Sequence, residues 1–154
     1  MRVILPGSYD PVTLGHLEVI KRASALYDEV YAVVFINPDK KYFFSLADRV
    51  KMLILATDEL DNVIVSSSDG LVIDYMREHG IEKIIKGYRN QADLDYEGRQ
   101  AEYNLKFGGF ETELWQADEN MRNISSTKAR EVISNGGNLQ KFLPEKVISY
   151  INSH

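Results

Sequence analysis

Short apolar runs alternate along the chain with longer stretches in which apolar residues return every three or four positions. Val3 to Leu5, Val30 to Ile36, Val63 to Val65, Lys83 to Lys86 and Thr112 to Trp115 predict five strands, most of them too apolar for a sheet with one wet face. Leu14 to Tyr27, Ser45 to Thr57, Leu71 to His79 and a segment from about Asp93 to Phe107 are long enough for crossover helices between parallel strands. The pattern predicts an α/β, doubly wound (Rossmann-like) parallel sheet flanked by helices, with a helical tail over Pro144 to Asn152. Within the second helix, Leu46, Val50, Leu53 and Ile54 predict one buried face, and Ser45 with Asp48 has capping-box spacing. In the tail, Val147, Ile148 and Ile151 share a face that predicts core packing. Gly108-Gly109 and Gly136-Gly137 read as helix stops, not boundaries, so residues 1–154 are expected to form a single domain.

Composition narrows the classes. A chain of 154 residues with 44% hydrophobic content supports one core. A net charge of -5 without a long basic run argues against a general nucleic-acid partner. There is no cysteine, hence no disulfide, thiol nucleophile or thiolate metal site. No apolar run approaches a bilayer span and the first residues lack a signal-type stretch, so a cytoplasmic protein with no membrane partner is expected.

In an open parallel sheet the ligand sits beyond the carboxyl ends of the strands, which directs attention to the strand exits. The first strand runs into Gly7-Ser8-Tyr9-Asp10-Pro11, and the next helix opens with Thr13-Leu14-Gly15-His16. Free amides at a helix start face anions, glycine admits close approach, and an imidazole in the first turn can donate to a phosphoryl oxygen. His16 sits at the pole that disfavours a protonated ring unless an anion is near; His79 stands at a helix end and His154 at the chain end, where ordinary structural roles suffice. The second exit carries Lys40-Lys41, the fourth Lys86-Gly87-Tyr88-Arg89 and the last Ile124-Ser125-Ser126-Thr127-Lys128. Lys86 closes a buried run and must reach water or an anion, and Arg89 offers a planar fork. Asp93, Asp95 and Glu97 read as helix surface or first-turn dipole partners, with Glu97 alternatively on a ribose hydroxyl. Lys128 and Arg130 in the first turn of a helix oppose its dipole unless an anion is bound there. The P-loop, the dinucleotide glycine fingerprint and the nucleophile elbow are all absent, and three scattered histidines make no metal site.

Together, P-G-S-Y-D-P-x-T-x-G-H, Lys86-Gly87-Tyr88-Arg89 with Ala92-Asp93-Leu94-Asp95-Tyr96-Glu97, Ile124-Ser125-Ser126-Thr127 and Phe142-Leu143-Pro144 resemble the phosphopantetheine adenylyltransferase family. That family lies within the nucleotidyltransferase superfamily marked by T/H-x-G-H. The resemblance spans nearly the whole chain. It implies adenylyl transfer from ATP to 4′-phosphopantetheine, giving dephospho-coenzyme A and pyrophosphate, with Mg²⁺ carried by ATP and pyrophosphate.

By the same resemblance Ser8, Lys40 and Lys86 hold the acceptor phosphate, and Val72 and Asn104 touch the pantetheine arm. The ATP side comprises Ser8, Tyr9, Gly15, His16, Gly87, Tyr88, Arg89, Glu97, Met121, Arg122, Asn123, Ile124, Ser125, Ser126 and Thr127. His16, Lys40 and Lys86 form the catalytic set, His16 on the α-phosphate. A homohexamer and feedback binding of coenzyme A are further expectations. Two departures stand out: Lys86 replaces the usual arginine, and the last signature reads Ser-Ser-Thr-Lys-Ala-Arg, which also resembles the nicotinate mononucleotide adenylyltransferases. Another phosphate acceptor, a pyridine mononucleotide or a small alcohol phosphate, is therefore the alternative enzyme reading, and a nucleotide-binding module without turnover the non-enzymatic one. The attacking phosphate is already ionised at neutral pH, so the chemistry asks for positioning and charge stabilisation, not a general base.

Overall fold

Alternate residues of each central strand face opposite layers, and that alternation builds two cores. The computed structural model describes all 154 residues. Strands β1 (Arg2–Gly7), β2 (Glu29–Phe35), β3 (Val63–Ser68), β4 (Lys83–Tyr88) and β5 (Glu111–Gln116) form one parallel sheet in the order β3-β2-β1-β4-β5. Helices α1 (Leu14–Leu26), α2 (Leu46–Thr57), α3 (Val72–His79) and α4 (Gln91–Gly108) connect them, and α5 (Ser126–Ser134) and α6 (Glu145–Ser153) follow β5 after a short 3₁₀ turn at Glu119–Met121.

On one face Val3, Leu5, Val30, Ala32, Val34 and Ile85 pack against α1, α2, α5 and α6. On the other, Ile4, Tyr31, Val33 and Ile84 meet Tyr75 and Met76 of α3. Ile4, Ile20 and Leu53 are completely buried, each worth about 1.5–3 kcal/mol relative to exposure. The tail joins the first core through Val147, with Ile148 and Ile151 packed beside it. No helix is long and apolar enough to cross a membrane.

The predicted elements are present, with longer strands: β3 continues to Ser68 and β4 to Tyr88, because ladder hydrogen bonds persist after the apolar run ends. The central strands are buried as expected of most of the five, and the edge strands β3 and β5 are only partly covered. Ile54 is exposed; the buried face of α2 is made by Arg49, Met52, Leu53 and Thr57. Ser45 caps α2 by accepting from the Asp48 amide, but the Asp48 carboxylate accepts from the Tyr150 hydroxyl at 2.6 Å, so the predicted box is half made. Gly80 (φ 65°) and Gly109 (φ 73°) end α3 and α4 in the left-handed region that glycine enters freely.

Candidate active site

Strand order reverses between β1 and β4, and there the sheet opens. β1 and β4 pair only through Val3 with Lys83 and Ile4 with Ile84, whereas β1 and β2 stay in register from Arg2 to Gly7. Beyond Ile84 the two strands part, and Lys86 Nζ spans the gap to donate to the Pro6 carbonyl at 2.9 Å. Gly87 lets α1 lie close against β4, since an added Cβ would stand 3.0 Å from Val19.

The β1 exit is held from within. Tyr9 takes a positive φ of 47°, its ring is buried, and its hydroxyl donates to the Leu5 carbonyl at 2.7 Å. Burial pushes the Tyr9 phenol well above its ordinary value. The buried Asp10 carboxylate accepts from the Phe43 and Phe44 amides, both at 2.9 Å, and so fastens the segment after β2 over the site. The Asp10 carbonyl accepts from Arg130 Nη1 at 2.8 Å.

At the start of α1 the Thr13 hydroxyl accepts from the His16 amide at 3.2 Å, and His16 Nδ1 accepts from the Thr13 amide at 3.0 Å. An Nδ1 that accepts from a backbone N–H carries no proton, so the neutral ring bears its hydrogen on Nε2. Burial lowers the His16 pKa from 6.5 to about 4, with Lys86 and Arg89 adding to the shift. The ring is thus a neutral Nε2–H donor at physiological pH. A methyl group at Gly15 would meet only ordinary contacts with Thr13 and Ile124, so packing does not demand glycine here. The space it leaves faces the site.

The start of α5 supplies amides. Ser125 Oγ accepts from the Lys128 amide at 3.1 Å, Ser126 Oγ donates to the Pro11 carbonyl at 2.8 Å, and Thr127 Oγ1 accepts from Arg130 Nη2 at 3.1 Å. The three hydroxyls fix the helix start, and first-turn N–H groups remain for an anion. Opposite, Arg89 grips Asp93 through Nε at 2.9 Å and Nη2 at 3.2 Å, and Lys86 Nζ lies 3.6 Å from Glu97.

Two clefts meet along one wall. The first, about 420 Å³, runs past His16 and Arg89 to Met121 and the start of α5; the second, about 600 Å³, runs under α4 past Val72 and Asn104. Pro6, Gly7, Ser8, Lys40, Lys86 and Glu97 border both. The cytidylyltransferase-like family model matches residues 4–132. A phosphopantetheine adenylyltransferase of Clostridium novyi (strain NT) is 42% identical, with 98% of this chain and 95% of that protein aligned. This chain belongs to the phosphopantetheine adenylyltransferase family. A second member, from Corynebacterium glutamicum (strain R), is 39% identical over the full length of both chains.

Of the residues the family resemblance singled out, Ser8, Gly15, His16, Lys40, Lys86, Gly87, Tyr88, Arg89, Glu97, Met121, Ile124, Ser125, Ser126 and Thr127 line the first cleft. Val72 and Asn104 line the second. Tyr9 borders the first cleft, but its hydroxyl is turned inward to the Leu5 carbonyl. Arg122 and Asn123 line neither cleft; Arg122 Nε points back to the Ala117 carbonyl at 3.5 Å.

Arg130 borders the first cleft and Lys128 does not, because two residues of helix rotation separate them. Asp93 is neither mere surface nor only a dipole partner: it occupies the Arg89 fork. Sequence reasoning also missed the Asp10 clamp and the buried Arg49. The signal for Arg49 was its place at the i+3 position from Leu46 and i−4 from Leu53, on the face read as apolar.

Proposed function

We propose that the chain transfers the adenylyl group of ATP to 4′-phosphopantetheine, releasing pyrophosphate and forming dephospho-coenzyme A. The wall shared by the two clefts carries this reading. Ser8, Lys40 and Lys86 border both spaces, so an acceptor phosphate held by them from the second cleft abuts the α-phosphate of a nucleotide in the first.

His16 borders the first cleft and offers Nε2–H to the oxygen on which charge accumulates. The α5 amides, Arg89 and Arg130 suit the β- and γ-phosphates, and ATP enters as its magnesium complex. The carboxylates that line the first cleft are already engaged, Asp10 with the Phe43 and Phe44 amides, Asp93 with Arg89 and Glu97 with Lys86, which suits an ion that travels with the nucleotide. The second cleft has the mixed lining that an amide-rich, partly apolar arm needs, with Phe35 and Val72 beside Asn104 and Gln100.

Coenzyme A, which shares the arm and the nucleotide, suits the same two clefts as a feedback ligand. A homohexamer in the cytoplasm completes the proposal. For self-association the support is α4, which buries no residue in the monomer and exposes Tyr103, Leu105 and Phe107.

Pyrophosphate release from ATP, measured with 4′-phosphopantetheine, with nicotinate mononucleotide and with no acceptor, tests the function. Release is expected only with the first. Release only with the second makes the pyridine mononucleotide the acceptor, and release with neither leaves a binding module.

A further inference from the structure

Arg49 lines neither cleft, yet it supports the wall between them. Its side chain is buried, with 2% of the residue exposed, and it forms no ion pair with any carboxylate. Nη1 donates to the Ser8 carbonyl at 3.1 Å, the guanidinium lies 3.9 Å over the Tyr42 ring, and Nε has no partner. Burying a cation without a counter-ion is unfavourable, and an apolar side chain of similar volume would avoid that penalty.

Tyr42 links this charge to the loop after β2. Its hydroxyl accepts from the Asn37 amide at 2.8 Å, and Lys40 Nζ lies 5.6 Å from its ring. One guanidinium therefore braces Ser8 after β1 and the Lys40 loop after β2, two of the supports that border both clefts.

The geometry points to Arg49 as a positioning residue for the acceptor phosphate, acting through Ser8 and Tyr42 and leaving a positive charge behind the wall that the incoming phosphate answers. This role rests on the assignment of Ser8, Lys40 and Lys86 to that phosphate. Low local polarity strengthens such an interaction even without direct contact.

Calorimetric titration of 4′-phosphopantetheine and of pantetheine, the same arm without its phosphate, tests it on the wild type, Arg49→Gln, Arg49→Lys and Lys40→Ala. Arg49→Gln is expected to weaken the phosphorylated ligand roughly tenfold and leave pantetheine within about twofold. Arg49→Lys is expected to recover part of the loss, since charge returns but the planar fork does not. A merely structural arginine would weaken both ligands alike, and that result, or no weakening, overturns the role. Should Arg49→Gln fail to fold, Arg49→Lys decides the matter: a loss of about threefold confined to the phosphorylated ligand sustains the role and its absence overturns it. If Lys40→Ala loses phosphate selectivity while Arg49→Gln keeps it, Arg49 alone is misassigned. If the wild type binds both ligands equally, the acceptor-site assignment itself fails.

Discussion

The exits of β1 and β4 face each other across the opened sheet but hold their functional groups in different ways. On the β1 side, Tyr9, Asp10 and His16 are fixed by bonds to backbone: the Leu5 carbonyl, the Phe43 and Phe44 amides, and the Thr13 amide. On the β4 side, Arg89 is set against the Asp93 carboxylate, and Lys86, beyond its one bond to the Pro6 carbonyl, lies 3.6 Å from the Glu97 carboxylate. Backbone anchors give one geometry and, for His16, one tautomer. Ion pairs at partly exposed side chains are weak and exchangeable, typically worth up to about 1 kcal/mol. The first side is built for a neutral group whose direction matters, and the second for charges that a polyanion can engage.

The largest expected effect comes from the fixed side. His16→Ala removes the Nε2–H donor, and kcat is expected to fall roughly 10²-fold or more with little change in the KM for ATP. Steady-state kinetics checks this, with a thermal melt to separate lost capping from lost catalysis. Near-wild-type turnover would remove His16 from the chemistry and erase the functional half of the contrast.

The same residue sharpens the comparison through its titration. In the ligand-free protein the His16 ring is expected to protonate near pH 4, not 6.5, as read from its imidazole resonances by NMR. A midpoint near 6.5 would mean that the ring is not held neutral by its surroundings. The sign for stability follows: between those two values the unfolded chain binds a proton that the folded chain refuses. The contribution of His16 is therefore intact above about pH 6.5 and is lost as pH falls toward 4.

Sequence periodicity carried the sheet and its helices well, because burial on two faces writes itself into period-two and helical patterns. The helix start at Gly15 and His16 does line the first cleft, a placement that residue type and helix position together suggest. What escaped were partnerships set by tertiary approach. Asp10 meets amides more than thirty residues away, and Arg49 meets Ser8 over a similar separation. Ile54 has the spacing of a core residue, but Arg49 and Met52 take the inner face instead. Lys128 looked equivalent to Arg130 until helix rotation put only the latter at the cleft.

The smallest expected effect lies on the exchangeable side, at Asp93. Its carboxylate accepts from Arg89 Nε, Nη2 and the Arg89 amide, leaving Nη1 as the uncommitted edge of the fork. Asp93→Asn keeps an acceptor oxygen and removes the charge that competes with an incoming phosphate. The KM for ATP is expected to fall by about two- to fivefold, the range that an ion pair of up to about 1 kcal/mol allows, with kcat nearly unchanged. The gain should shrink in high salt, where exposed charges are screened. A rise in KM together with a loss of kcat would show instead that Asp93 aims Arg89 at the phosphates, making the β4 exit as rigidly organised as the β1 exit and dissolving the distinction between them.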